Sequence, residues 1–216
     1  MLKAVIFDMD GLLIDSEAMT FKGYKKLCSD HSYNLEDEFY FQFLGTNIDY
    51  MRDGFHANYG QNFPFDQILE EVHSYIEEIF QNEGVPLKAG AMNLLNFLKE
   101  KSIKIGLATS SARHRVDKIL TKAEITSYFD TSVCGDEITH SKPNPEIFLT
   151  ACQKLGVKPE EAIVLEDSEN GIIGASDGKI QCIHVPDLKD SSDIIKKRAT
   201  YIAKDLNEVI HYIKTH

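Results

Sequence analysis

The chain lacks the residue groupings that mark several large functional classes. Its four cysteines, Cys28, Cys134, Cys152 and Cys182, are widely separated and form no C-x-x-C pair. Neither a thiol redox motif nor a zinc knuckle is therefore encoded. They read as small, buried apolar residues of a protein kept in a reducing compartment. The eight histidines show no H-E-x-x-H or comparable helical spacing; His140, beside Ser141-Lys142, lies nearest to candidate chemistry and reads as a bystander. Positive charge is scarce, with 23 Lys and Arg against 34 Asp and Glu and a formal net charge of -11. A nucleic-acid surface needs clustered cations to neutralise phosphates, so this balance argues against nucleic acid and against a membrane surface. No apolar run approaches the ~18 residues of a membrane span. The opening residues, Met1 to Asp8, meet charge too soon for a signal peptide. Proline is sparse, and there is no repeat or low-complexity tract. A globular cytoplasmic protein is the expectation.

What is present falls into two kinds of sequence. Lys3 to Phe7 is a short apolar run ending at an aspartate, as a buried strand would. Residues 16 to 83 then read as helices: 17–30, an aromatic-rich 36–44, 47–59, and 66–82 with Ile68, Leu69, Val72, Tyr75, Ile76 and Ile79 on one face. From about residue 87 the pattern alternates. Helices near 90–101, 112–122, 145–155 and after Asn170 separate strands at 103–108, 131–134, 162–165 and 181–185, and the tail adds a short strand near Tyr201 and a last helix. Strands joined by helical crossovers pair in parallel. The expected fold is α/β: a doubly wound, Rossmann-like parallel sheet formed by residues 1–15 and 86–216, with an all-helical insert at 16–85. The insert's aromatic residues are expected to form a core of their own.

In such sheets ligands bind beyond the carboxyl ends of the strands. The first strand ends at Asp8-Met9-Asp10-Gly11 and the second at Ala108-Thr109-Ser110-Ser111. The loop after the third carries Ser141-Lys142-Pro143-Asn144-Pro145, and the fourth ends at Leu165-Glu166-Asp167-Ser168. Four carboxylates on one rim repel one another and call for a cation. Mg²⁺, which takes a few protein oxygens and leaves places for water and phosphate, suits Asp8, Asp10, Glu166 and Asp167. One carboxylate can attack phosphorus while a lysine steadies the oxygens. A second can donate a proton to the leaving alkoxide and later take one from water; Asp10 suits this role. Thr109, Ser110 and nearby backbone N–H groups suit a phosphate oxygen. Taken singly, Thr109-Ser110-Ser111 also reads as a helix N-cap and Glu166 to Asn170 as an acidic helix start. Other phosphate motifs fail: Gly171, Gly174 and Gly178-Lys179 lack the spacing of a G-x-x-x-x-G-K loop, and Ile180 stands where Ser or Thr is needed.

Together these four segments, in this order, resemble the four motifs of the haloacid dehalogenase superfamily, and the likeness spans essentially the whole chain. The insert resembles the small helical cap of the branch containing β-phosphoglucomutase and sugar-phosphate phosphatases. The resemblance implies Asp8 as nucleophile, Asp10 as acid/base with its backbone carbonyl toward Mg²⁺, Thr109 and Lys142 on the phosphoryl group, and Asp167 with Glu166 completing the metal site. It implies a cap that closes over a small phosphorylated metabolite, hinged near 13–16 and 84–87, with Gly45, Thr46 and Asn47 as candidate substrate contacts. A monomer is expected, because such a cap already covers the rim. The second aspartate separates the chain from dehalogenases, whose halide leaving group needs no proton. The mutase pattern has a histidine where Thr20 stands and a cap-loop arginine where this chain has Gly45-Thr46-Asn47-Ile48, with Arg52 a turn further on. A phosphatase is therefore expected before a phosphomutase. A non-catalytic binding protein fits least, since a binder has no need of Asp10.

Overall fold

The computed structural model describes residues 1–216. The chain divides into two compact units, Met1–Asp15 with Val85–His216, and Ser16–Gly84.

The first unit is built on six strands: β1 (Ala4–Phe7), β2 (Lys104–Thr109), β3 (Thr131–Cys134), β4 (Ala162–Glu166), β5 (Gln181–His184) and β6 (Tyr201–Ile202). All neighbours pair in parallel, in the order β3-β2-β1-β4-β5-β6. Every residue of β1 and β4 is buried, as continuous apolar runs covered on both faces must be. The chain winds outward from β1 through β2 to β3, then crosses back to lay β4 on the other side of β1. That reversal opens a crevice beyond the carboxyl ends of β1 and β4. Register levels the ends: Phe7 pairs with both Leu107 and Leu165, and the Asp8 N–H still donates to Leu165 O at 3.0 Å.

Helices α5 (Ala91–Glu100), α6 (Arg113–Lys122), α7 (Glu146–Leu155), α8 (Glu169–Asp177), α9 (Asp193–Arg198) and α10 (Leu206–Thr215) belong to this unit, while α1 to α4 lie in the other. On one face of the sheet Ala4, Ile6, Ala162 and Val164 pack with Phe148, Ala151 and Leu155 of α7 and Ile172 and Ala175 of α8. Helix α9 escapes the sequence pattern because it is short, with one buried residue, Ile195. Two other readings need correction. The run Thr109-Ser110-Ser111 does not cap α6, whose N-cap is Ala112 with no side-chain bond. And α8 starts before Asn170, because the Ser168 hydroxyl accepts from the Gly171 N–H and so sets the first turn at Glu169.

The second unit comprises α1 (Ser16–Asp30), α2 (Asp37–Phe41), α3 (Ile48–Tyr59) and α4 (Phe65–Asn82). Its core is aromatic: Tyr24, Tyr40, Phe43, Phe55, Phe63 and Phe65 are buried together with Ile68 and Val72. Phe55 is the hub, fully enclosed and in contact with six other rings. Gly54 makes room for Phe43, since a Cβ there would stand 2.3 Å from its ring. The second helix is shorter than the 36–44 expected. Beyond Phe41 the backbone tightens into i to i+3 bonds, Phe43 N to Tyr40 O and Leu44 N to Phe41 O, before Gly45 turns the chain at φ +76°.

Both crossings between the units are tied at their base on the sheet side. Ile14 pairs antiparallel with Leu87, Asp15 N donates to Pro86 O at 2.9 Å and Lys88 N to Leu13 O at 3.0 Å. No helix is long and apolar enough to cross a membrane.

One buried group sits badly. His184, at the end of β5, is 1% exposed and neither ring nitrogen has a partner. Burial holds its imidazole below the ordinary value of 6.5. Above that pH both folded and unfolded chains are neutral here; below it the unfolded chain takes a proton that the folded one refuses, and stability is lost. His184→Leu should therefore melt at or above the parent temperature at pH 7.5, and its advantage should widen as pH falls to 5.5, followed by circular dichroism.

Candidate active site

The switch-point crevice gathers Asp8, Thr109, Lys142, Glu166 and Asp167 from four separate segments. Their centre is the Lys142 ammonium, whose side chain is 7% exposed. Its Nζ donates to Asp8 Oδ1 at 2.5 Å, to Glu166 Oε1 at 2.6 Å and to the Ala108 carbonyl at 3.2 Å. One cation thus bonds the ends of β1, β2 and β4. Glu166 is locked from its other oxygen, which accepts from the Ser168 N–H and hydroxyl, both at 2.8 Å. Its carboxylate also lies flat on the first turn of α8: a Cβ on Gly171 would come within 1.9 Å of it. Only glycine fits there.

The electrostatics are unbalanced. Burial, followed by the charges of Glu166 and Asp10, pushes the Asp8 carboxyl above its ordinary value despite the pull of Lys142. Asp167 is likewise held well above the usual carboxylate range, by burial first and then by the charges of Glu166 and Asp8. Burial works against the Lys142 ammonium, but the charges of Asp8 and Glu166 outweigh it and hold Lys142 above its ordinary value, so it stays protonated. The crevice is one positive charge or more short.

Asp10 points elsewhere on the same rim. Arg115, on α6, grips its carboxylate with two bonds of 2.7 Å, and the Ser111 hydroxyl adds a third at 2.8 Å. Such a fork pairs best with the ionised carboxylate. Gly11, at φ +79°, makes the turn that follows, and its N–H donates to Ile14 O at 3.1 Å. Thr109 is buried, with its hydroxyl oxygen accepting from the Ser111 N–H at 3.1 Å. Ser110 is exposed beside it. Here the backbone is held by a close approach, because a Cβ on Gly135 would lie 2.1 Å from the Ser110 carbonyl oxygen.

Gly45, Thr46, Asn47, Arg52 and Thr20 belong to the helical unit. Asn47 caps α3 by accepting from the Tyr50 N–H at 2.8 Å, and the Thr46 hydroxyl donates to Phe43 O at 2.7 Å. Gly45 is a turn residue with nothing near the place of a Cβ. Arg52 is bound to Asp49 and Asp66, and the Thr20 hydroxyl donates to Ser16 O. His140 pairs with Glu146 at the surface.

Two groups at the rim escaped the sequence reading. Arg115 lies four residues after Ser111, in a helix that carries other basic residues. Asp187 follows β5, one strand beyond the four motif-bearing segments, and the same strand-end rule points to it. Its Oδ1 accepts from Lys88 Nζ at 2.5 Å, and burial holds its carboxyl above the ordinary range against the pull of that lysine.

Metal-binding capacity follows from the donor set. No three His, Cys, Asp or Glu side chains are arranged to hold an ion by themselves, so a closed all-protein cage does not match. An ion that takes one or two carboxylates and fills its remaining places with carbonyl, water and phosphate oxygens does match, and it would relieve the raised Asp8 and Asp167. Asp8 and Asp167 are the side chains suited to it; those of Glu166 and Asp10 are engaged by Lys142 with Ser168 and by Arg115 with Ser111.

If Lys142 is the keystone, Lys142→Met should lower stability by about 3–5 kcal/mol, because it leaves buried carboxylates uncompensated. Adding Glu166→Gln in the same chain should return part of that loss. Urea unfolding of the two variants and the parent, in EDTA, measures both effects.

Comparison with known proteins agrees with this geometry. The model of the family described as haloacid dehalogenase-like hydrolase matches residues 5–185. A phosphorylated carbohydrates phosphatase of Thermotoga maritima is 29% identical over 99% of this chain and 99% of its own length. Hexitol phosphatase B of Escherichia coli K12 is 32% identical, covering 88% of this chain and 86% of its own. Among solved structures, a putative beta-phosphoglucomutase from Thermotoga maritima superposes with a TM-score of 0.82 at 27% identity, over 99% of each chain. With a six-stranded parallel sheet of this order and the four motif segments on its rim, the chain belongs to the haloacid dehalogenase-like hydrolase family.

Proposed function

We propose that this phosphohydrolase is a Mg²⁺-dependent phosphatase of a small phosphorylated sugar or polyol, working through a phosphoryl group carried on Asp8. The observation that carries the reading is the Lys142 ammonium bonded to Asp8 at 2.5 Å at the mouth of a crevice short of positive charge. A phosphate monoester brings three negative oxygens, and a site built for it needs a buried cation, a hydroxyl and an open place for a metal around one carboxylate.

The roles follow. The Asp8 oxygen not held by Lys142 attacks phosphorus in line with the ester oxygen, and the P–O bond to the alcohol breaks as the Asp8 O–P bond forms. Asp10 delivers a proton to the departing alkoxide, so its carboxylate must first be released from the Arg115 fork and take up that proton from solvent. Water then attacks the aspartyl phosphate, with Asp10 accepting its proton and inorganic phosphate released. Lys142 and Thr109 hold the equatorial oxygens, and Ser110 lies beside them. Asp8, Asp167 and the Asp10 carbonyl would hold Mg²⁺, which supplies charge neutralisation of the phosphoryl oxygens. Glu166 keeps Lys142 in place.

Support for the substrate class comes from the relatives, one a phosphatase of phosphorylated carbohydrates and another of hexitols. On the family resemblance the helical unit is assigned the cap, with Gly45, Thr46 and Asn47 meeting the alcohol portion. Mutase activity is the second reading, favoured by the structural similarity to a putative beta-phosphoglucomutase. Against it, Arg52 is already neutralised by Asp49 and Asp66. Incubation with β-glucose 1-phosphate and catalytic bisphosphate separates the two: the phosphatase releases inorganic phosphate, and the mutase accumulates glucose 6-phosphate.

Two outcomes test the mechanism. Asp8→Asn should abolish phosphate release from sugar and polyol phosphates, as should EDTA with the parent protein; an active Asp8→Asn variant refutes the covalent route. Asp10→Asn should lose about 10²–10⁴-fold in kcat on alkyl phosphates, whose leaving group needs a proton. On 4-nitrophenyl phosphate, whose leaving group does not, the loss in kcat/KM should be much smaller, because kcat/KM reports transfer to Asp8 and not the later hydrolysis that needs the Asp10 base.

A further inference from the structure

Beyond β5 the chain runs through Val185 and Pro186 to Asp187, whose side chain is 7% exposed. Lys88 Nζ holds Oδ1 at 2.5 Å and reaches Asp15 Oδ1 at 3.4 Å. The other oxygen, Oδ2, is enclosed by protein and has no hydrogen-bond partner. An enclosed carboxylate oxygen with no donor is costly, and native proteins seldom leave one so. Its position is informative. A Cβ on Gly11 would stand 2.4 Å from Asp167 Oδ2 and 3.2 Å from Asp187 Oδ2. Two carboxylate oxygens, from the ends of β4 and β5, thus flank one point beside the Gly11 backbone. Lys88 is committed to the far oxygen of Asp187, and Lys142 to Asp8 and Glu166. Neither lysine answers Oδ2.

A metal held by two carboxylates keeps several waters, and those waters are donors that need acceptors of fixed direction. We infer that Asp187 is an outer residue of the metal site, its Oδ2 accepting a hydrogen bond from a water on the ion held by Asp8 and Asp167, while Lys88 fixes the carboxylate's orientation. This rests on the Mg²⁺ reading given above. Asp187 serves as a positioning residue rather than a direct ligand, consistent with the lack of any three-carboxylate cage. Glycine at position 11 then has a second purpose besides its turn: any side chain there would occupy the ground the two carboxylates share.

Calorimetric titration of Mg²⁺ into the full, metal-free chain without substrate tests the assignment. Asp187→Asn keeps an acceptor for Lys88 but can present an amide donor where Oδ2 stood. It should bind Mg²⁺ about 10- to 100-fold more weakly than the parent, with an unchanged circular dichroism spectrum in EDTA. The Mg²⁺ concentration for half-maximal activity should rise by the same factor. Parental Mg²⁺ affinity in Asp187→Asn overturns the inference. Should that variant not fold, Asp187→Ser is held to the same two outcomes. Asp167→Asn is the control: if it binds Mg²⁺ as the parent does, the metal reading itself falls. If it loses the ion while Asp187→Asn keeps parental affinity, only the role given to Asp187 falls.

Discussion

The candidate active-site crevice depends on one buried ammonium. Lys142 reaches from the loop beyond β3 to the ends of β1, β2 and β4 and bonds an acceptor on each. Its attraction to Asp8 and Glu166 offsets its own burial, but one charge cannot balance two carboxylates and a third beside them. The remaining imbalance keeps Asp8 and Asp167 eager for a proton or a metal. The folded chain therefore holds a standing demand for positive charge at the place proposed for a phosphate ester, itself anionic. On the metal reading proposed above, both demands would be met when ion and substrate arrive together. A site that was neutral beforehand would bind the ion less and have less reason to bring it there.

Much of this was legible in the sequence because short parallel strands announce themselves. A run such as Ala-Val-Ile-Phe or Ala-Ile-Val-Leu is apolar on both faces and stops at a carboxylate, so the strand end and the chemical residue are read in one step. Order along the chain then supplies the rim. Harder to read are side chains that arrive from helices. Arg115 is one of several cations in an exposed helix, and only the three-dimensional placement of α6 against Asp10 distinguishes it from its neighbours. Asp187 was within reach of the strand-end rule and was missed because the rule stopped at the fourth strand. Local readings failed where a stronger partner existed: Ser111 looks like a helix cap but is taken by Asp10, and the first turn of α6 is served instead by Asp136, whose carboxylate accepts from the Arg113 N–H.

Glycine does quiet work at three close approaches. Gly171 lets the Glu166 carboxylate lie on a helix turn, Gly135 lets the Thr109–Ser111 turn be clasped from behind, and Gly11 leaves clear the space between Asp167 and Asp187. In each case a methyl group would collide with something the site uses. The fixed positions of the charged residues thus depend on residues that have no side chain to contribute.

The tie at the base of the helical unit has a consequence for how the family can change. Because Leu13 to Asp15 and Pro86 to Lys88 are bonded to each other on the sheet side, the sheet meets the intervening helices as a single closed loop. The entropy of closing a loop varies only slowly with its length. Helices can then be lengthened, shortened or exchanged between the two anchor points without moving Asp8 or Asp10. If the helical unit is the cap proposed above, such a chain can acquire a new substrate by rewriting one unit while inheriting its chemistry intact from the other.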